Sequence, residues 1–279
     1  MNHSLTASSP VSKRLSPRKM AFITGTLLLT STGFICRILG FFYRIFMSRT
    51  IGAEGLGIYN MVHPIFSICF AVCAGSIQTA LSQYVAANQT RGRAVFRTGL
   101  VIAMGMSFLL AWVIYGNAGF LAEKLLLEPR CAPYLPVMAV SVPFAALHAC
   151  INGYYYGMQK ARVPAFSQVA EQVIRMGAVF LIASIWLESG RQITVSLAVY
   201  GHLIGEMASA VFTVFCLGFF PPCKDGDSRR APAIPLSFGA TAAPLMALAL
   251  PLMGNRLILN VLGSAEAIWI PNRLMSSGL

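Results

Sequence analysis

A chain of 279 residues in which 56% are hydrophobic and only 11% charged is far poorer in charge than soluble domains, where about 25% of residues are charged. The composition excludes a water-soluble globular protein and defines an all-α, polytopic integral membrane helix bundle. The net charge of +12 would point to nucleic acid in a soluble protein, but most of it lies in short loops between apolar runs, so nucleic acid is excluded as a partner.

Residues 1–19 form a polar, basic tail with Lys13, Arg14, Arg18 and Lys19. The apolar run that follows is too long for a signal-peptide core and lacks a small-residue cleavage site, so the tail leads into a retained helix. This first span covers Met20 to Met47 and is interrupted by Arg37 and Arg44, with Arg49 just beyond. A cation at membrane depth costs at least ~2.5 kcal/mol even on the mildest scale, and such residues face a bundle interior or a wet cavity. At the usual helical rise Arg37 lies roughly 26 Å from the helix start, and Arg44, about two turns on, shares its face. Outward snorkelling is the alternative for each.

The second span, Ile58 to Val85, carries a polar stripe in which Gln78 and Ser82 stand at i,i+4; it reads as a cavity wall or as helix–helix glue. Pro64, after His63, predicts a bend. The third and fourth spans are Gly99 to Ala118 and Pro133 to Met158. Tyr154, Tyr155 and Tyr156 at the end of the fourth read as an interfacial aromatic belt.

On the fifth span, Val163 to Trp186, Glu171 and Arg175 stand at i,i+4 in the order that forms an ion pair. Gln168 and Gln172 beside them make a polar cavity wall the alternative. The sixth span, Thr194 to Phe219, places Glu206 near mid-membrane without a local partner; pairing with Arg175 and a coupling role are both open. His148 and His202 sit singly on apolar helices, and no histidine shares metal-ligand spacing with a carboxylate or thiolate. They read as polar packing, and no metal is expected. The seven cysteines include no CxxC pair and read as small buried hydrophobes.

Residues 221–237, rich in Pro, Asp and Arg, read as a cytoplasmic linker between a first six-helix bundle, 20–220, and the first helix of a second, 238–279. The seventh span runs from Phe238 to Ile270, and its Asn255-Arg256-Leu257 echoes Arg37-Ile38-Leu39. Both helices cross in the same direction, as in a parallel transporter repeat. Arg256 lies roughly 27 Å along its helix, so Arg37 and Arg256 hold similar depths, and two guanidinium forks facing a cleft match a diphosphate. The sequence ends one helix into the second repeat, where a lone helix has no partners; the expectation is the N-terminal part of a longer protein.

The tail, Arg91/Arg93/Arg97, Lys160/Arg162 and Lys224/Arg229/Arg230 fall on one side of the membrane. That side is cytoplasmic by the positive-inside rule, which puts the N-terminus inside. The loops contain no nucleophile elbow, Walker loop or HExxH motif, so neither enzymatic chemistry nor a cofactor is expected.

Two blocks carry a family resemblance: Arg37-Ile38-Leu39-Gly40-Phe41 with Arg49-Thr50-Ile51-Gly52-Ala53-Glu54-Gly55-Leu56-Gly57-Ile58-Tyr59, and Gly153-Tyr154, Gly157-Met158-Gln159, Pro164, Ser167-Gln168-Val169, Glu171-Gln172 and Arg175. With Asn255-Arg256 and Glu266-Ala267, they make residues 20–279 similar to stage V sporulation protein B-like polysaccharide transporters. These belong to the multidrug/oligosaccharidyl-lipid/polysaccharide exporter superfamily, which includes the lipid-linked peptidoglycan precursor flippases. The chain departs from the family at Ile77-Gln78, where Ile-Pro is usual, and at Gln83, where a basic residue is usual. The resemblance implies a two-bundle exporter with a central cleft, working by alternating access in the bacterial cytoplasmic membrane, in cell-wall or spore-cortex synthesis. Its implied substrate is an undecaprenyl-diphosphate-linked saccharide.

The expected substrate-binding residues are Arg37, Arg256 and Arg44, and the expected polar cavity or coupling residues are Glu171, Arg175, Glu206 and Gln78. Expected partners are a lipid-linked anionic saccharide, membrane lipids and cell-wall synthesis proteins. The alternatives are a cation-coupled multidrug exporter of the same superfamily and a non-transporting scaffold for wall synthesis.

Overall fold

The computed structural model describes residues 17–222 and 238–276, with side chains described for 23–222 and 238–263. The basic tail before residue 17, the linker 223–237 and the side chain of Glu266 lie outside these ranges. The described chain is helical, with no strand among the described residues. Helix α1 (Pro17–Phe70) runs through a five-residue π turn, Ala71–Gly75, into α2 (Ser76–Ala87). Helix α3 is Gly92–Gly116, α4 Leu135–Gly157, α5 Arg162–Glu188, α6 Ser196–Phe219 and α7 Phe238–Ser276.

The long first element is two crossings. Its backbone leaves helical geometry at Gly52, with φ 74° and ψ 175°, a conformation that favours glycine. Gly25, on the first arm (17–51), lies against Ala161, and Val85, on the second arm (53–87), lies against Gly157. Both far ends therefore meet beside the α4–α5 turn, and the arms are antiparallel. Among the described residues, six helical stretches are long and apolar enough to cross a membrane, and the first, 65 residues long, contains this fold-back. The seven expected passes follow, with shifted ends: α3 begins at Gly92 and takes Arg93 and Arg97 into the helix.

Paired glycines set the closest helix contacts, as small-xxx-small spacing does in membranes. Gly153 and Gly157 of α4 face the second arm; an added Cβ would meet the Gln78 carbonyl oxygen at 2.7 Å and Val85 Cβ at 2.6 Å. Gly201 and Gly205 of α6 face α5 in the same way, at Val179 and Arg175. The main core packs the second arm, α3 and α4 around Ile77, Leu81, Met138 and Tyr154. Helix α7 has partners, contrary to the expectation of a lone helix: Leu245, Ala249 and Met253 join this core.

The aromatic-belt reading is corrected for two of its three tyrosines. Tyr154 and Tyr155 are 2% and 1% exposed, because Gly153 and Gly157 draw this part of α4 into the bundle. Tyr154 stacks on Phe96, and the Tyr155 hydroxyl lies 2.9 and 2.8 Å from the carbonyls of Cys216 and Phe220, sharing its proton between them at the end of α6. Tyr155→Phe is expected to lower stability by about 1 kcal/mol, measured as the unfolding midpoint in an SDS titration of mixed micelles.

Pro64 stays within continuous helix, and the irregularity of the second arm is the π turn downstream. Its freed carbonyl groups are partly used locally: Ser76 Oγ donates to Ala71 O at 2.7 Å. At the Gly52 end, Arg130 joins Glu54 on the fold-back to Glu128, with Nε donating to Glu128 Oε1 at 2.8 Å. The Arg130 guanidinium holds the Glu128 carboxyl below the usual carboxylate range. This exposed clasp aligns the loop and adds little stability.

Candidate functional site

Among the described residues, two polar features lie inside the bundle. The first is a buried charged cluster at the junction of α4, α5 and α6. Glu206 is 5% exposed, and its Oε2 lies 2.9 Å from His148 Nε2 across the α4–α6 contact. Arg175 pairs with Glu171 one turn away on α5, and its Nη2 also lies 3.7 Å from Glu206 Oε1. Gly205 makes this reach feasible: an added Cβ there would lie 2.7 Å from Arg175 Nε. Ser167 and Ser209, hydrogen bonded at 2.8 Å, join the same two helices.

Charges buried this deeply persist only when paired, because desolvation outweighs a poor ion pair. Glu171, Arg175, Glu206 and His148 meet that condition jointly. Ligand atoms of His148, Glu171 and Glu206 lie within 4.8 Å of one another, close enough to surround a cation. Here Arg175 supplies that cation, through its contacts to both carboxylates.

The expected Glu171–Arg175 pair is therefore present, and Arg175 is a partner of Glu206. Sequence reasoning missed His148, read as polar packing because no nearby residue signalled a carboxylate. Its partner stands 58 residues away. His202 belongs to the same neighbourhood: it is 3% exposed, neither ring nitrogen has a hydrogen-bond partner, and Nε2 lies 3.9 Å from Glu206 Oε1.

The second feature is a groove of about 390 Å³ between the second arm and α7, lined by Ser67, Phe70, Arg256 and Asn260 among others. Arg256 donates from Nη2 to Thr79 Oγ1 at 3.0 Å, and Thr79 Oγ1 donates to the Gly75 carbonyl at 3.0 Å. The π turn ends at Gly75, where a Cβ would lie 2.3 Å from Arg256 Nη1. The guanidinium thus rests on bare backbone at a widened turn, a kind of irregularity frequent at functional sites.

Arg37 and Arg44 are exposed on the first arm and make no hydrogen bond or ion pair among the described residues. No described contact joins Arg37 to Arg256. Gln78 is half-buried, with its carbonyl against Gly153.

A bundle of apolar crossings enclosing paired charges and an arginine-lined groove is an all-α, multi-pass membrane protein. The sequence matches the family described as polysaccharide biosynthesis protein over residues 22–278, and the chain belongs to that family. It is similar to stage V sporulation protein B of Bacillus subtilis (strain 168), 29% identical over 94% of this chain and 51% of that protein. It is also similar to lipid II flippase MurJ of the same organism, 23% identical over 68% of this chain and 38% of that protein. Sporulation protein YkvU, again of that organism, is 18% identical over 92% of this chain and 56% of its own length. The chain spans about half the length of the curated relatives it matches.

Proposed function

We propose that the protein takes part in moving an undecaprenyl-diphosphate-linked saccharide across the bacterial cytoplasmic membrane, by alternating access and without enzymatic chemistry. The observation that carries this reading is Arg256, a cation held inside the membrane-crossing region at the wall of an open groove. Its Nη2 is anchored on Thr79 and the groove also offers Ser67 and Asn260. A guanidinium fork fits phosphate oxygens in two-point geometry. Similarity to a lipid II flippase and membership of a polysaccharide biosynthesis family support the same substrate class.

In this reading Arg37 and Arg44, exposed along the first arm, present further positive charge to the diphosphate. The first six helices form one bundle, and α7 opens a second joined by the linker 221–237. The basic residues 91, 93, 97, 160 and 162, clustered at the end where Gly25, Val85 and Gly157 meet, face the cytoplasm, with the N-terminus. Cell-wall synthesis proteins are the expected partners.

The test is flipping of a labelled lipid-linked precursor by the full-length protein in vesicles. Arg256→Ala is expected to lower the rate by about 10- to 100-fold, the value of one charge-assisted phosphate contact, with membrane insertion intact. Arg37→Ala is expected to act in the same direction. Wild-type rates in both variants would reject the diphosphate role, and absence of flipping by the parent protein would favour a scaffold. Drug-stimulated cation flux without precursor movement would favour a multidrug exporter.

A further inference from the structure

The buried cluster has an unequal charge count. Glu171 and Glu206 bring two negative charges and Arg175 one positive. With His148 neutral the set carries a net negative charge; with His148 protonated it carries none. Net charge in a membrane interior is expensive, so the set is completed by one further cation.

The groups around it lead outward in a line. His148 Nε2 lies 2.9 Å from Glu206 Oε2, and on the other carboxylate oxygen stands His202 Nε2 at 3.9 Å. The His202 ring meets the His63 ring edge-on, with centroids 5.7 Å apart. His63 Nδ1 is 3.2 Å from Ser67 Oγ, and Ser67 lines the Arg256 groove. Buried His202 has no hydrogen-bond partner on either nitrogen, and His148 Nδ1 has none either. Such groups are costly to bury and are available to accept a proton.

We propose that the Glu206–His148 pair is an exchangeable proton site, connected to the Arg256 groove through His202, His63 and Ser67. Uptake adds one N–H or O–H bond to the pair, leaving a proton shared between Glu206 Oε2 and His148 Nε2, and release breaks that bond; His202 and His63 line the way out to Ser67, with no hydrogen bond between their rings. No other bond is made or broken. The completing cation is assigned as a proton because Arg175 already contacts both carboxylates and lowers their demand for a metal ion. Other titratable groups facing the site are Cys36 and Tyr43 on the first arm and Tyr59 on the second, and the charged Arg44 of the first arm acts on Tyr59 and His63. The proposal deepens the transport reading by naming its coupling ion, and rests on that reading only for the coupling role.

The test uses the full chain in lipid nanodiscs with ¹⁵N-labelled histidine, titrated across about pH 5 to 8, the range in which histidine acts as a switch. One buried imidazole is expected to titrate. H148Q should remove the step, E206Q should move its midpoint by at least about one pH unit, and H63Q should slow its proton exchange about tenfold. A His148 resonance fixed in one protonation state throughout, or unmoved by E206Q, overturns the proposal. So does a midpoint that sodium chloride shifts as far as E206Q does, because the ion is then a metal cation. Infrared difference spectra of the wild type report the same carboxylate–imidazole step and keep the test decisive if H148Q fails to fold. No substrate is present, so failure here leaves the transport reading standing. In the flipping assay, a pH gradient should change the wild-type rate and leave E206Q unresponsive; a gradient-insensitive wild type that still flips would refute coupling alone.

Discussion

Replacing Glu206 with leucine is expected to destabilise the bundle by about 3–5 kcal/mol, the cost of removing one partner from a buried charge pair. His148 would lose its only hydrogen bond at Nε2, and Arg175 would keep only Glu171 against the α5–α6 contact. Glu206→Gln, which retains an amide facing His148, should lose less than half as much. The unfolding midpoints of the three proteins, compared in one SDS titration series, decide the matter. A leucine variant as stable as the parent would mean that the cluster does not hold α4, α5 and α6 together. The difference between the two substitutions separates the loss of charge from the loss of contact.

Gly153→Val is expected to cost about as much as the worst overpacking substitutions, roughly 3 kcal/mol. The Cβ would lie 2.7 Å from the Gln78 carbonyl oxygen and 3.2 Å from its Cα. Both are backbone atoms, so no rotamer change relieves the clash, and α4 must slide along the second arm. Gly157→Val should behave alike, because Ser82 O stands 2.8 Å away. Gly105→Ala and Gly177→Ala provide the comparison: nothing lies within 4 Å of either Cβ position, and alanine favours helix by up to about 1 kcal/mol. Thermal aggregation midpoints of the four variants should therefore fall in two groups. A tolerated valine at 153 would show that the α4 contact adapts.

The contrast between these sites follows what a sequence can express. Glu171 and Arg175 are one turn apart, so their pairing is local and legible, and Arg175 was a foreseeable partner for Glu206. The His148–Glu206 contact joins positions 58 residues apart and the Arg256–Thr79 contact positions 177 apart; no periodicity encodes either. Gly153 and Gly157 stand out as a motif, but the tyrosines between them read as an interfacial belt, whereas the glycines force Tyr154 and Tyr155 inward. The passes themselves were legible because lipid demands long apolar helices. Their ends were less so: the helical start at Gly92 brings Arg93 and Arg97 into α3, where hydropathy alone discourages a helix.

The wide turn at Ala71–Gly75 amounts to one surplus residue in an otherwise regular spiral. Everything from Ser76 to Ala87 is consequently dialled round by roughly 100° relative to the stretch above it. Thr79 points at Arg256, and the Gln78 carbonyl meets Gly153, only with that offset in place. The segment is thus sensitive to how many residues it holds as well as to which ones, and a tightening of this single turn would swivel the groove wall about its own axis while both neighbouring stretches stayed helical.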